Sequence, residues 1–165
     1  MKKRIVGFSV LFLVIFLLQT SAVFAAKPTK TSVQFSVLFE DGEQLEFIEK
    51  SRMDIKKYRS WGIVEGDLDG TFVWLSTSTT RYATTDKDEI VFTKSSAEVT
   101  VECMIGAKTG TLILSTAAIV KYPPVYPTMG TWRIIDGTGD FAGLRGNGEY
   151  SVLNGFVFEG TIVGL

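Results

Sequence analysis

Between residues 130 and 150 the chain reads Gly130-Thr-Trp-Arg-Ile-Ile-Asp-Gly-Thr-Gly-Asp-Phe-Ala-Gly-Leu-Arg-Gly-Asn-Gly-Glu-Tyr150. Glycine weakens the interior of a flat strand, so glycines repeated inside strand-like sequence mark sharp bends or places where another group comes close. The run parses as two hydrophobic strand fragments joined by a tight glycine corner. Residues Gly155 to Leu165 add a further strand with glycines of its own. Such a pattern points to an antiparallel sheet bent until it closes on itself.

The rest of the chain supports this reading through period-two alternation, with little helical periodicity. Val33, Phe35, Val37 and Phe39 alternate with polar residues, and Asp41-Gly42 is expected to turn the chain into Leu45 and Phe47. Asp69-Gly70 repeats that hairpin signal and Asn154-Gly155 is its close analogue, because type I′ turns need positive φ at both central residues. Met53 to Tyr58 is expected to form a short helical turn or irregular link. Strands are then predicted from Arg59 to Glu65, Phe72 to Leu75, Ile90 to Thr93, Ala97 to Met104 and Thr111 to Ile119, with a polar loop at Thr84 to Asp88. The stretch Tyr122-Pro-Pro-Val-Tyr-Pro127 must leave the ladder, since proline donates no backbone hydrogen bond. Three strands follow it.

Eight or nine strands in one domain is the size at which a sheet closes and leaves either a filled core or one small cavity. The expected fold is all-β, a calycin-like up-and-down antiparallel barrel over residues 26–165. A β-sandwich is the alternative, and glycines at 62, 66, 148, 160 and 164 favour the barrel.

Met1-Lys-Lys-Arg4, the uncharged apolar run Ile5 to Leu18 and the small-residue site Val23-Phe-Ala25 make residues 1–25 a secretory signal peptide, cut after Ala25. The apolar run is shorter than the roughly 20 residues a membrane helix needs, so a secreted or periplasmic protein without a stable membrane span is expected. Its short lysine-rich start suits a bacterial host. The 165-residue chain has net charge −1, and removal of three basic residues with the signal leaves −4. A mildly acidic chain with scattered lysines has no footprint for nucleic acid. With Cys103 as the one cysteine there is no internal disulfide, and packing must supply the stability.

Chemistry is limited by what is missing. The sequence has no histidine, which excludes Ser-His and Cys-His nucleophile systems and removes the usual transition-metal ligand. No metal site or cofactor is expected. Gly137-Thr-Gly-Asp-Phe-Ala142 matches the spacing of a dinucleotide loop but lacks the helix that the motif must open. Glu65-Gly-Asp-Leu-Asp-Gly70 resembles the start of a calcium loop, yet Ser76 stands where a bidentate glutamate should close it. Both are read as hairpin corners.

The segment Gly137 to Gly148, followed by Tyr150 and Phe158-Glu-Gly160, resembles the glycine-marked strands of the allene oxide cyclase barrel-like superfamily, which includes dirigent proteins. Gly62-Ile-Val-Glu-Gly-Asp-Leu-Asp-Gly70 is similar to the central hairpin of that group. The resemblance implies an eight-stranded barrel with an apolar cavity, no cofactor and, as in many plant members, a trimer. No catalytic position of the cyclases matches this chain residue by residue.

Strand parity supplies the candidate site. Trp61, Ile63 and Glu65 share a face; if it points inward, Glu65 is a buried carboxylate fit for acid–base work, and the alternative is a solvated Glu65 at the barrel rim beside its turn. Cys103 shares a face with Val99 and Val101, and Tyr150 with Val152. Phe72 and Trp74 alternate with Val73 and Leu75, so one face can line the interior and the other a contact in a homo-oligomer, a dimer or trimer. Three functions follow: binding of a small apolar molecule, with Trp61, Trp74, Cys103, Trp132, Tyr150 and Phe158 as lining; a cofactor-free cyclase or isomerase steered by Glu65 or Tyr150; or a filled barrel that acts through its surface.

Overall fold

The computed structural model describes residues 28–124, 128–152 and 155–165. The signal-peptide reading of residues 1–25 and the Asn154 half of one expected turn lie outside the described residues. Eight antiparallel strands form a closed ring: β1 (Lys30–Lys50), β2 (Met53–Gly66), β3 (Asp69–Tyr82), β4 (Ile90–Ile105), β5 (Lys108–Lys121), β6 (Thr128–Gly139), β7 (Arg145–Val152) and β8 (Phe156–Val163). Each pairs with the next in sequence and β8 returns to β1, with Phe35 opposite Phe158. Eight consecutive strands in up-and-down order match the expected fold class.

Several local readings are corrected. Asp41-Gly42 is not a turn: β1 runs through it with bulges between Phe39 and Asp41 and between Gln44 and Glu46. The apolar pattern continues through Leu45, Phe47 and Ile48, and Ser51-Arg52 makes the turn instead, so the pair serves to coil a long strand. Met53 to Tyr58 is regular strand in β2, opposite Arg81 to Ser76 of β3. Asp69-Gly70 opens β3, and the turn before it is carried by Gly66 at φ 124°. Ile90 to Thr93 and Ala97 to Met104 are one strand, because the polar residues between them stay in register with both neighbours.

The inward face is apolar through the lower part of the ring. Val33, Phe35, Val64, Phe72, Val99, Val101, Leu112, Leu114, Phe158 and Ile162 are buried there. The β2–β3 turn inserts Leu68, and the β6–β7 corner inserts Phe141 and Leu144, so one end of the barrel is plugged. The corner is fixed by the Asp140 carboxylate, which accepts from the Thr109 amide at 3.0 Å.

The glycine run has a packing explanation. Trp132 of β6 lies opposite Gly148 of β7, which lies opposite Gly160 of β8. A methyl group at either glycine would strike the indole, and the Trp132 ring, 2% exposed, crosses the space that both leave empty. Its Nε1–H donates to the Glu159 carbonyl at 3.1 Å. In the same way the Tyr150 ring covers Gly130, its partner across the β6–β7 ladder. Aromatic rings laid over glycines restore the packing those strands would otherwise lack.

Strand lengths position the site. Followed from Phe35 through β8, β7 and onward round the ring, paired residues return to β1 at Phe47, twelve residues further along. This stagger goes with strong strand tilt. At the end opposite the plug, β8 stops pairing with β1 at Val37, while β1 and β2 continue together to Lys50 and Met53. Strands β1 to β4 therefore stand beyond the closed ring as a curved wall.

Candidate functional site

Where the closed ring gives way to the wall, the inward face changes chemistry. The last core layer is aromatic. Phe39 of β1 meets Phe72, Trp74 and Phe156 with ring centroids 5.1, 5.5 and 5.2 Å away, and Tyr150 stacks on Phe156 at 6.0 Å and on Phe158 at 5.0 Å. Edge-to-face and offset pairs at these separations are the favourable arrangements for aromatic rings. Phe72, Trp74, Tyr150 and Phe158 are buried, whereas Phe39 keeps 41% of its surface exposed. It is the upper ring of the cluster and forms a floor open to solvent.

Above this floor the same parity carries hydroxyls. Trp74 is followed on its face of β3 by Ser76, Ser78 and Thr80; Val99 is preceded on its face of β4 by Ala97, Ser95 and Thr93; Gly62 is preceded on β2 by Ser60 and Tyr58. Side-chain contacts place these residues on one concave face. Thr80 and Thr93 oxygens are 3.1 Å apart, and the Tyr58 hydroxyl donates to Gln44 Oε1 at 3.0 Å. Burial pushes the Tyr150 phenol above its ordinary pKa and Ser95 draws it partly back, so the hydroxyl stays protonated at neutral pH.

The far end of the wall is held by charge. Lys87, in the β3–β4 loop with φ 58°, reaches Asp54 Oδ1 at 2.5 Å and Glu49 Oε1 at 2.7 Å. The Tyr82 hydroxyl donates to Asp54 Oδ2 at 2.9 Å, and the Arg52 guanidinium donates to the Ala83 carbonyl. The Lys87 hydrogen bond holds Asp54 below its ordinary pKa against the opposing effect of burial. Burial pulls Lys87 down, but the hydrogen bonds to Asp54 and Glu49 leave it raised. The two hairpin tips are thus clasped together at the top of the wall.

The sequence-predicted residues divide into three groups. Trp74 and Tyr150 lie in the floor. Trp132, Phe158 and Cys103 are buried below it: Phe158 stacks on Phe35 at 4.8 Å, and burial pushes the Cys103 thiol up to about 11. They fill the barrel rather than line an open space. Trp61, Ile63 and Glu65 correct the expected inward face. Gly62 and Val64 point in, opposite Phe39 and Val37 of β1, and Glu65 stands exposed on the outer wall.

Sequence reasoning missed Phe39 and Phe156 as floor residues and the hydroxyl wall as a whole. The signal was present in Ser76-Thr-Ser-Thr-Thr80, which follows an apolar strand start without a turn residue. A separate open hollow of about 530 Å3 lies outside the barrel on β5 to β7, with Ser115, Thr131, Arg133 and Asn147 in its lining. It is shallow and presents no aromatic face comparable to the floor.

No protein-family model matches the chain, and no curated protein matches it. Among solved structures it is similar to a protein of unknown function from the DUF3224 family of Shewanella oneidensis MR-1. That structure is 16% identical, with a TM-score of 0.55 over 83% of this chain and 96% of the other. At this identity the likeness shows the shared fold.

Proposed function

We propose that this chain is an exported barrel protein that binds a small hydrophobic molecule at its open mouth. Export rests on the sequence of residues 1–25. The observation that carries the binding reading is the Phe39 ring, left 41% exposed on a bed of Phe72, Trp74 and Phe156. An apolar surface backed by packed rings and bordered by a few polar groups is the usual make-up of a small-molecule site. The locus is the mouth, since the interior below is occupied by Trp132, Phe35 and Phe158. Titration with Nile red, a neutral apolar dye, tests this. Phe39→Asp is expected to weaken binding at least tenfold, and Met104→Ala, on the outer face of β4, to leave it as it is. Equal affinity in wild type and Phe39→Asp would refute the reading.

A cofactor-free cyclase or isomerase of the allene oxide cyclase or dirigent kind is the alternative. It is favoured by one group, the Tyr150 hydroxyl in the floor, which burial keeps protonated. Glu65, on the outer wall, is too far round the strand to join it. Binding is preferred because a phenol whose pKa burial raises further above neutrality is poorly matched to acid–base work at neutral pH.

A homo-oligomer is a further part of the proposal. Leu38, Trp61, Ile63, Val73 and Leu75 share the outer face of β1 to β3, with Leu75 46% exposed. A neighbouring copy would cover them. Sedimentation is expected to show an oligomer that Leu75→Lys disrupts; a monomer at high concentration would count against it.

A further inference from the structure

We infer that the ligand is a glycoside-type amphiphile, a neutral polyhydroxylated head joined to a small apolar group, with the head held by the wall; this rests on the binding reading above. The wall over the floor offers hydroxyls from Ser76, Ser78, Thr93, Ser95 and Tyr58, spread over three adjacent strands. Each hydroxyl donates one hydrogen bond and accepts two, and a sugar ring presents the same alternating pattern. The side chains are short, and Phe39 below them keeps 41% of its surface exposed. Steps of two residues along β3 place Ser76 and Ser78 about 7 and 13 Å from Trp74, the span of a ring and its substituents.

The ion pairs on this face leave one lysine to consider. Lys87 is bound by Glu49 and Asp54, and Lys56 lies over the Phe47 ring at 5.5 Å from its centroid. A neutral head therefore meets matched hydroxyls, whereas among the described residues of this face a carboxylate would have Lys56 to approach. Aromatic floor and hydroxyl wall together select a molecule with both characters.

Calorimetric titration of the purified protein with hexyl β-glucoside, hexanol and hexanoate tests this. The glucoside is expected to bind at least tenfold tighter than either other probe, and the double substitution Ser76→Ala/Ser78→Ala to bring the glucoside-to-hexanol ratio close to one. Unfolding midpoints of the variant confirm that it is folded. Equal binding of glucoside and hexanol, or an advantage that survives the double substitution, overturns the inference. Tightest binding of hexanoate also overturns it and moves the head to Lys56. In each of those cases, hexanol binding that is lost in Phe39→Asp leaves the hydrophobic-site reading standing. No binding of any probe refutes both.

Discussion

An indole ring laid across two glycines sits near the centre of this barrel, and it explains why glycine recurs where a strand would be better served by valine. Adding a methyl at Gly148 or Gly160 drives a side chain into Trp132 and into a neighbouring carbonyl. Gly148→Ala and Gly160→Ala are each expected to lower stability by about 1–3 kcal/mol, the usual effect of overpacking, read from urea midpoints. Unchanged midpoints would show that the ring has room to move. Cys103 gives a pH-dependent prediction. Burial raises its thiol from 9.0 to about 11, so the folded state favours the protonated form. Its stabilising contribution is complete below about pH 9 and disappears as pH rises through about 11. Wild type is therefore expected to lose more stability than Cys103→Ala across that window; parallel pH profiles would remove Cys103 as the cause. At this scale the sequence was legible for burial and not for direction. Parity placed Cys103 and Tyr150 inside correctly, but it offered Trp61 as inward-facing, because a strand with an aromatic row on one face and Gly62 and Val64 on the other does not itself say which row faces the core.

At the scale of elements, the two tall hairpins β1–β2 and β3–β4 depend on the clasp at their tips. Lys87 carries a positive φ, a conformation that costs a non-glycine residue about 1 kcal/mol, and its ion pairs with Glu49 and Asp54 hold it there. Asp54, 7% exposed, is depressed below its ordinary pKa of 3.8. The stability it contributes is present above that ordinary value and is lost only as pH falls through the lower folded value. Hydrogen exchange at the Tyr82 amide, which bonds the Arg52 carbonyl at 3.0 Å, is expected to stay protected at pH 5 and to rise several-fold in Asp54→Asn. Equal protection in both proteins would mean that the ladder alone holds the tips. The strands were legible where apolar and polar residues alternate, as in Val33 to Phe39. They were misread where hydroxyls occupy both faces: Ser76 to Thr80 and Thr93 to Ser96 carry no alternation, yet the ladder extends through them because their neighbours supply the register.

For the whole molecule, closure and openness have one origin. Stagger closes eight strands into a ring and leaves four of them standing beyond it, so a plugged and filled barrel still has a lined mouth. Glycine spacing, hairpin order and strand number made the ring readable from sequence. The mouth was not readable, because it depends on where β6, β7 and β8 end relative to β1, and that is a matter of register summed round the barrel. A cavity expected inside the ring is replaced by aromatic packing, with Trp132, Phe158 and Cys103 as its filling and Trp74 and Tyr150 in its top layer.

Native mass spectrometry of the protein purified gently from an exporting host, wild type beside Phe39→Asp, addresses the mouth as a binding site most directly. An added mass on the wild type that disappears on denaturation and is missing from the variant is expected. A bare wild-type mass, or an added mass that Phe39→Asp retains, would contradict it.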